Sequence, residues 1–162
     1  MRRPELESAI RLRESGDLQG AGSLLARVLA EAPDDAEANH QMAWLCDVRG
    51  HEQEAVPYYL KAVAGDLSDE ERRSALLGLG STYRTLDEYP KAVEVLRHGV
   101  SEFPGDRVMQ TFLAMALYNV KEHREAVELL LENLVETTSD PEIRSYEKAL
   151  RFYSGRLDEV SG

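Results

Sequence analysis

Gly16-Asp17-Leu18-Gln19-Gly20-Ala21-Gly22-Ser23-Leu24-Leu25 sets a pattern that the rest of the chain repeats. A turn-forming glycine stands five residues before the small Ala21, and a large apolar residue stands four after it. The same outline returns at Gly50, Ala55 and Tyr59, at Asp87, Ala92 and Leu96, and at Lys121, Ala126 and Leu130. The four alanines lie 34, 37 and 34 residues apart. A fixed period in this range is the mark of stacked helical hairpins, each burying its apolar face only against a neighbour.

Helical periodicity around these anchors predicts about nine helices in the 162 residues. The first covers about 4–14, with Pro4 in the first turn and Gly16-Asp17 closing it. Its partner carries Ala21, Leu24, Leu25, Val28 and Leu29 at i, i+3, i+4, i+7 and i+8, and stops before Pro33-Asp34. Later helices are expected at 36–48, 52–64, 69–85, 88–102, 107–120 and 122–135, with a lone ninth at 141–154 after the N-cap signal Ser139-Asp140. The repeats then span about 2–35, 36–68, 69–105 and 106–138, followed by a capping helix at about 140–154. Ile143, Tyr146, Leu150 and Tyr153 form the expected inner stripe of that cap.

The three additional residues of the 37-residue interval fall between Gly65 and Glu71, where Ser68 and Glu71 form a capping box. A turn between repeats tolerates extra residues best, so the register is expected to hold. Pro57 conflicts with the pattern. It lies inside a predicted helix, which should start late or bend there.

The pattern resembles the tetratricopeptide repeat. The third unit carries it most fully, in Leu76, Leu79-Gly80, Tyr83, Tyr89, Ala92, Leu96 and Pro104. The second offers Met42-Ala43, Gly50, Ala55, Tyr59 and Ala62; the first Ala9, Gly16, Ala21, Leu25 and Pro33; the fourth Leu113-Ala114, Ala126 and Leu130. The chain departs from the family in lacking a tryptophan near the start of each hairpin and a closing proline in the second repeat. Asn133 and Thr138 also stand at a small and a proline position. Hairpin helices approach closely only over small residues, so Ala9, Ala43, Gly80 and Ala114 should face Ala21, Ala55, Ala92 and Ala126.

The resemblance implies an all-α, right-handed superhelical α-solenoid of about four hairpins plus a C-terminal capping helix. It also implies a non-enzymatic interaction module that binds a protein or peptide segment in a concave groove lined by the first helices. Carried onto this sequence, that groove has Leu6, Ile10 and Arg13, then Glu37, His40, Trp44 and Asp47, then Leu77, Ser81 and Arg84, then Thr111, Met115, Tyr118 and Asn119. The residues singled out for binding are Arg13, His40, Trp44, Leu77, Arg84, Met115, Tyr118 and Asn119. Trp44 is open to two readings, groove anchor or half-buried core. Arg13 and Arg84 are either simple solvated arginines or a hold for the carboxylate of an acidic peptide. Some members of the family clamp the C-terminal carboxylate of chaperones with paired lysine and asparagine. Here Leu6, Ile10 and Gln41 stand among those positions, so no such clamp is expected.

Charge and composition narrow the partner class. Thirty acids against 19 bases give a formal charge of -11, which disfavours nucleic acid and anionic membrane surfaces. One cysteine, Cys46, forms no internal disulfide, and Met1-Arg2-Arg3 is followed by Pro4 and Glu5 rather than an apolar run, so a cytoplasmic setting is expected. No apolar stretch reaches membrane-spanning length. The four histidines, His40, His51, His98 and His123, show no metal-ligand spacing, and Gly78-Leu79-Gly80-Ser81 lacks the lysine and strand of a phosphate loop. No cofactor, metal or catalytic set is expected. The alternative to a partner-binding groove is self-association, a homodimer formed through the groove or through Phe152 and Tyr153 at the terminal helix. The last residues, Gly155-Arg156-Leu157-Asp158-Glu159, resemble the opening of another second helix.

Overall fold

The structure, a computed structural model, describes residues 4–159, and these form ten α-helices and no strand. In chain order they are α1 (Pro4–Glu14), α2 (Leu18–Glu31), α3 (Ala36–Val48), α4 (Glu52–Ala64), α5 (Asp69–Thr85), α6 (Tyr89–Glu102), α7 (Arg107–Asn119), α8 (His123–Thr137), α9 (Pro141–Ser145) and α10 (Glu147–Ser154). Two compact units divide them, Met1–Glu88 holding α1 to α5 and Tyr89–Gly162 holding α6 to α10.

Four turns share one geometry. Gly16, Gly50, Asp87 and Lys121, the residues five before the repeated alanines, are among the described residues the ones with positive φ, at 86°, 74°, 60° and 69°. At each, the backbone N–H donates three residues back, and the next N–H donates five back: Gly16 to Arg13 and Asp17 to Leu12, and likewise Lys121 to Tyr118 and Glu122 to Leu117. This is the Schellman closure of a helix, which returns two orphan carbonyls to hydrogen bonds by passing one residue through the left-handed region. A short reversal then lays the second helix back along the first. Glycine is free to adopt that conformation; Asp87 and Lys121 hold it against a steric cost.

Side chains start the helices. Asp17, Asp35, Ser68, Asp106 and Asp140 each accept from a backbone N–H of the first turn. Ser68 and Glu71 form the expected capping box. The three additional residues, however, do not lengthen the turn. The connections 32–35, 65–68 and 103–106 are equal in length, whereas α5 has 17 residues against 13 in α3 and α7. The insertion adds a turn of helix at the start of α5, where the acidic first-turn residues Asp69, Glu70 and Glu71 favour helix.

Two further expectations change. α4 begins at Glu52 and continues through Pro57, so it does not start late. Pro57 and Gln53 are both exposed, so the carbonyl deprived of its usual donor faces water. The single capping helix is instead two. Ser145 Oγ donates to the Glu142 carbonyl at 2.6 Å, and the Tyr146 N–H turns to Ile143 at 3.0 Å, breaking the ladder between α9 and α10. Tyr146 and Tyr153 are exposed rather than inward; α10 packs on α8 with Leu150 half-buried and Ser154 buried. Residues 155–158 form turns, with φ -82° at Gly155, so the left-handed closure of the four earlier turns does not recur there.

In the first unit α2 packs on α1 and α3, and α4 on α3 and α5. Leu6, Ala9, Leu25, Val28, Ala38 and Leu45 form a buried cluster, with Ile10, Leu24 and Met42 against it. In the second unit α7 packs on α6 and α8 around Leu96, Met109, Leu113 and Leu117. Every alanine and glycine of the predicted notches is buried. Leu130 departs from its counterparts: Leu25, Tyr59 and Leu96 are buried, but Leu130 is 44% exposed, because the short α10 follows α8 in place of a full-length first helix.

Candidate binding surface

The added turn of α5 changes the face carried by α1 and α3. α3 packs against both α1 and α5, and α1, α3 and the start of α5 enclose a hollow of about 350 Å³. His40 and Gln41 are buried in its floor, Ile10 and Arg13 reach it from α1, and Ser68, Glu70, Glu71 and Ser74 wall it from the α5 side.

Arg13 is fixed on three sides. Its Nη1 donates to Gln41 Oε1 at 2.7 Å, its Nη2 lies 3.4 Å from Glu14 Oε1, and its guanidinium stands 4.8 Å from the centroid of the Trp44 ring. Cation–π contact of this kind suits arginine over tryptophan and holds both side chains in one arrangement. Trp44 is half-buried, with part of its ring packed and part open to solvent.

His40 is only 6% exposed and does not project into solvent as a groove side chain would; it reaches this face through the hollow alone. Its ring is tilted against that of Tyr59 at 6.4 Å, and its Nδ1 is buried with no hydrogen-bond partner. Burial pulls its pKa below the ordinary 6.5, with the charge of Glu71 opposing that shift and Arg13 adding to it.

Other expected groove residues divide between face and core. Leu6 belongs to the core cluster. Leu77 and Arg84 are half-buried on α5. Asp47 turns inward to accept from Tyr59 Oη at 2.8 Å and from Thr82 Oγ1 at 3.0 and 2.9 Å. Desolvation raises the Asp47 pKa, and the bonds from Tyr59 and Thr82 work against that rise. In the second unit Met115, Tyr118 and Asn119 share one side of α7 at i, i+3 and i+4. Met115 and Asn119 are half-buried, whereas Tyr118 is 65% exposed with its ring 5.0 Å from that of His123.

At the edge of the second unit Tyr146, Phe152 and Tyr153 are exposed around an open hollow of about 660 Å³. Phe152 meets Tyr153 edge to face at 5.3 Å and lies under the Arg156 guanidinium at 4.3 Å. Among the described residues no helix is long and apolar enough to cross a membrane, and no three His, Cys, Asp or Glu side chains converge to hold a metal ion.

The profile of the tetratrico peptide repeat matches residues 36–157 of this chain, about three quarters of its length. The chain belongs to the tetratricopeptide repeat family. Solved structures give the same fold. MamA is similar with a TM-score of 0.72 at 22% identity, over 90% of this chain and 87% of MamA. PilF of Pseudomonas aeruginosa is similar with a TM-score of 0.68 at 17% identity, over 98% of this chain and 76% of PilF. YrrB, described as a TPR protein with an unusual peptide-binding site, has a TM-score of 0.65 at 17% identity, over 96% of this chain and 87% of YrrB. No curated protein sequence matches the chain significantly. As a tetratricopeptide repeat protein it has the all-α solenoid-type fold of protein-binding scaffolds.

Sequence reasoning missed the wall supplied by Ser68, Glu70 and Glu71. The signal was present: the expected helix at 69–85 is four residues longer than that at 36–48, but its added first turn was not considered as part of the face.

Proposed function

We propose that this tetratricopeptide repeat protein is a non-enzymatic adaptor that binds an extended or helical segment of another protein on the face carrying Arg13, Trp44, Leu77 and Arg84. His40 contributes from the hollow. In the second unit Met115, Tyr118 and Asn119 belong to the same function, on the first helix of their own hairpin. The observation that carries this reading is the Arg13–Trp44 pair, ordered by Gln41 before any partner arrives. Tryptophan and arginine dominate interface energies, and a side chain already held in place loses less entropy on binding. The lone buried thiol of Cys46 and the acidic surface suit a reducing, cytoplasmic setting.

The test is selection of peptides from a displayed library on the immobilised full chain, followed by Trp44→Ala. Selected peptides should bind the variant about tenfold or more weakly, a loss typical of an interface anchor. Unchanged binding with the helical circular dichroism intact removes the proposal.

A second reading, a homodimer, is favoured by the exposed aromatic edge of Tyr146, Phe152 and Tyr153. Light scattering coupled to size exclusion decides it: a monomer at tens of micromolar protein removes the dimer, and a dimer that dissociates on Phe152→Ala supports it.

A further inference from the structure

Periodicity assigns Tyr146 and Tyr153 to an inner stripe, yet the fold leaves them 67% and 61% exposed, with Phe152 beside them at 54%. Exposed aromatic rings gathered on one short helix and its N-cap form the kind of apolar patch that marks an interaction site. Ala149, the small residue among them, leaves open the hollow of about 660 Å³ that the three rings border. Phe152 is held between Tyr153 at 5.3 Å and the Arg156 guanidinium at 4.3 Å, so a guest meets a wall already in place. Charge is a second and independent feature. Lys148 and Arg151 line the hollow and no acid does, on a chain whose formal charge is -11. Glu147 at 3.0 Å and Glu136 at 3.7 Å already engage Arg151. The Lys148 side chain has no ion pair or hydrogen bond among the described residues, so its charge is open to a guest.

We infer that this edge is a second docking surface, and that its occupant is an acidic segment of a partner protein carrying an aromatic or large aliphatic side chain. That side chain enters the hollow over Ala149, against Tyr146 and Phe152, and a neighbouring carboxylate pairs with Lys148 Nζ. The inference goes beyond the reading of the Arg13–Trp44 face and does not depend on it. A second copy of the chain fits less well. In a twofold contact it would bring the same two bases to the same edge, and its overall charge repels. Nucleic acid also offers faces to stack and negative charge, but a strand needs a row of bases along its backbone, and Lys148 is the one unpaired base lining this hollow. An exposed ion pair contributes modestly, so the rings supply most of the affinity and Lys148 the selection for acid.

The test titrates the full chain with the capped pentapeptide acetyl-Glu-Glu-Phe-Glu-Glu-amide to millimolar concentration, read by the backbone amide resonances of residues 146–153. Its controls replace every glutamate by glutamine, every glutamate by lysine, or the phenylalanine by alanine. The acidic aromatic peptide should shift these resonances to saturation, less tightly at high salt. The glutamine and alanine peptides should bind several-fold more weakly, and the lysine peptide should not bind. Lys148→Glu should weaken the acidic peptide about fivefold, the upper end for an exposed ion pair. Phe152→Ala should weaken it about tenfold. Both positions are exposed, and unchanged helical circular dichroism checks that the variants fold. No saturable shift, equal binding of the glutamine peptide, or unchanged affinity in Lys148→Glu overturns the inference. Tighter binding of a thymidine oligonucleotide at the same resonances also overturns it, as does a dimer in light scattering that dissociates on Phe152→Ala. Shifts confined to α3 and α5 and abolished by Trp44→Ala would overturn this edge and leave the Arg13–Trp44 face standing. Shifts at residues 146–153 that survive Trp44→Ala support the edge whatever becomes of that face.

Discussion

Tyr59 donates its hydroxyl hydrogen to Asp47 Oδ2 across 2.8 Å, and Thr82 donates to the same carboxylate at 3.0 and 2.9 Å. One partly buried acceptor thereby joins α3, α4 and α5 and so ties together α3 and α5, which carry Trp44, Leu77 and Arg84 of the proposed face. Tyr59→Phe keeps the ring and removes one donor to a desolvated charge, so stability should fall by about 1.5–3 kcal/mol. Urea unfolding measures it. A change below a few tenths of a kcal/mol would show that solvent satisfies Asp47 without Tyr59.

The same tyrosine requires Gly78. A Cβ at position 78 would meet Tyr59 Cζ and Oη at 2.5 Å and Cε1 at 2.7 Å, inside any tolerable contact. Alanine in a helix interior is ordinarily favoured over glycine by about 1 kcal/mol. Here the clash outweighs that preference, and Gly78→Ala should destabilise by about 1–3 kcal/mol. Tyr59→Leu shortens the side chain that Gly78→Ala strikes, so the two losses should sum to more than the double variant shows. Strict additivity would dissociate the pair.

The four left-handed turn residues allow a paired comparison within one molecule. Gly50 and Lys121 occupy equivalent turns with φ 74° and 69°. A side chain in this region costs about 1–2 kcal/mol, partly offset by the greater freedom of glycine in the unfolded chain. Lys121→Gly should therefore raise stability by about 0.5–1 kcal/mol, and Gly50→Ala should lower it by about 1 kcal/mol. Thermal unfolding reads both signs. A stabilising Gly50→Ala would contradict the turn geometry.

Much of this was legible in the sequence because it is local and repeated. The spacing of Ala21, Ala55, Ala92 and Ala126 placed the hairpins, and the residues five before them proved to be the four left-handed ones, Asp87 and Lys121 included. What escaped depended on side-chain competition or on contacts between helices. The break at Tyr146 arises because the Ser145 hydroxyl takes the Glu142 carbonyl, which periodicity does not register. Asn133, a departure from the small residue usual there, is buried and accepts from Arg107, which is also ion-paired with Glu136. Asn39 and Gln110, at equivalent positions in α3 and α7, hook the carbonyls of Pro33 and Pro104 at 3.0 and 2.7 Å. His40 was expected to project from α3 as a groove side chain but is buried, because periodicity places a residue on a helix side without showing which neighbouring element closes over it.

His40 gives the fold a pH dependence of definite sign. Glu71 from α5, Arg13 from α1 and the Tyr59 ring from α4 surround it, and burial, the largest influence, holds its folded pKa below 6.5. On acidification the unfolded chain takes up this proton first. Between pH 6.5 and the lower folded value the unfolded state binds more protons, so stability falls as the pH drops through that window. His40→Leu removes the titrating ring and the buried Nδ1 together. The variant should lose less stability than the parent between about pH 7 and pH 5.5, a range above the ordinary carboxylate titrations. Denaturant midpoints at a series of pH values, compared between the two proteins, give the difference directly. Parallel curves would mean that His40 is as easily protonated in the folded protein as in the unfolded chain, and its placement beneath α5 would then be wrong.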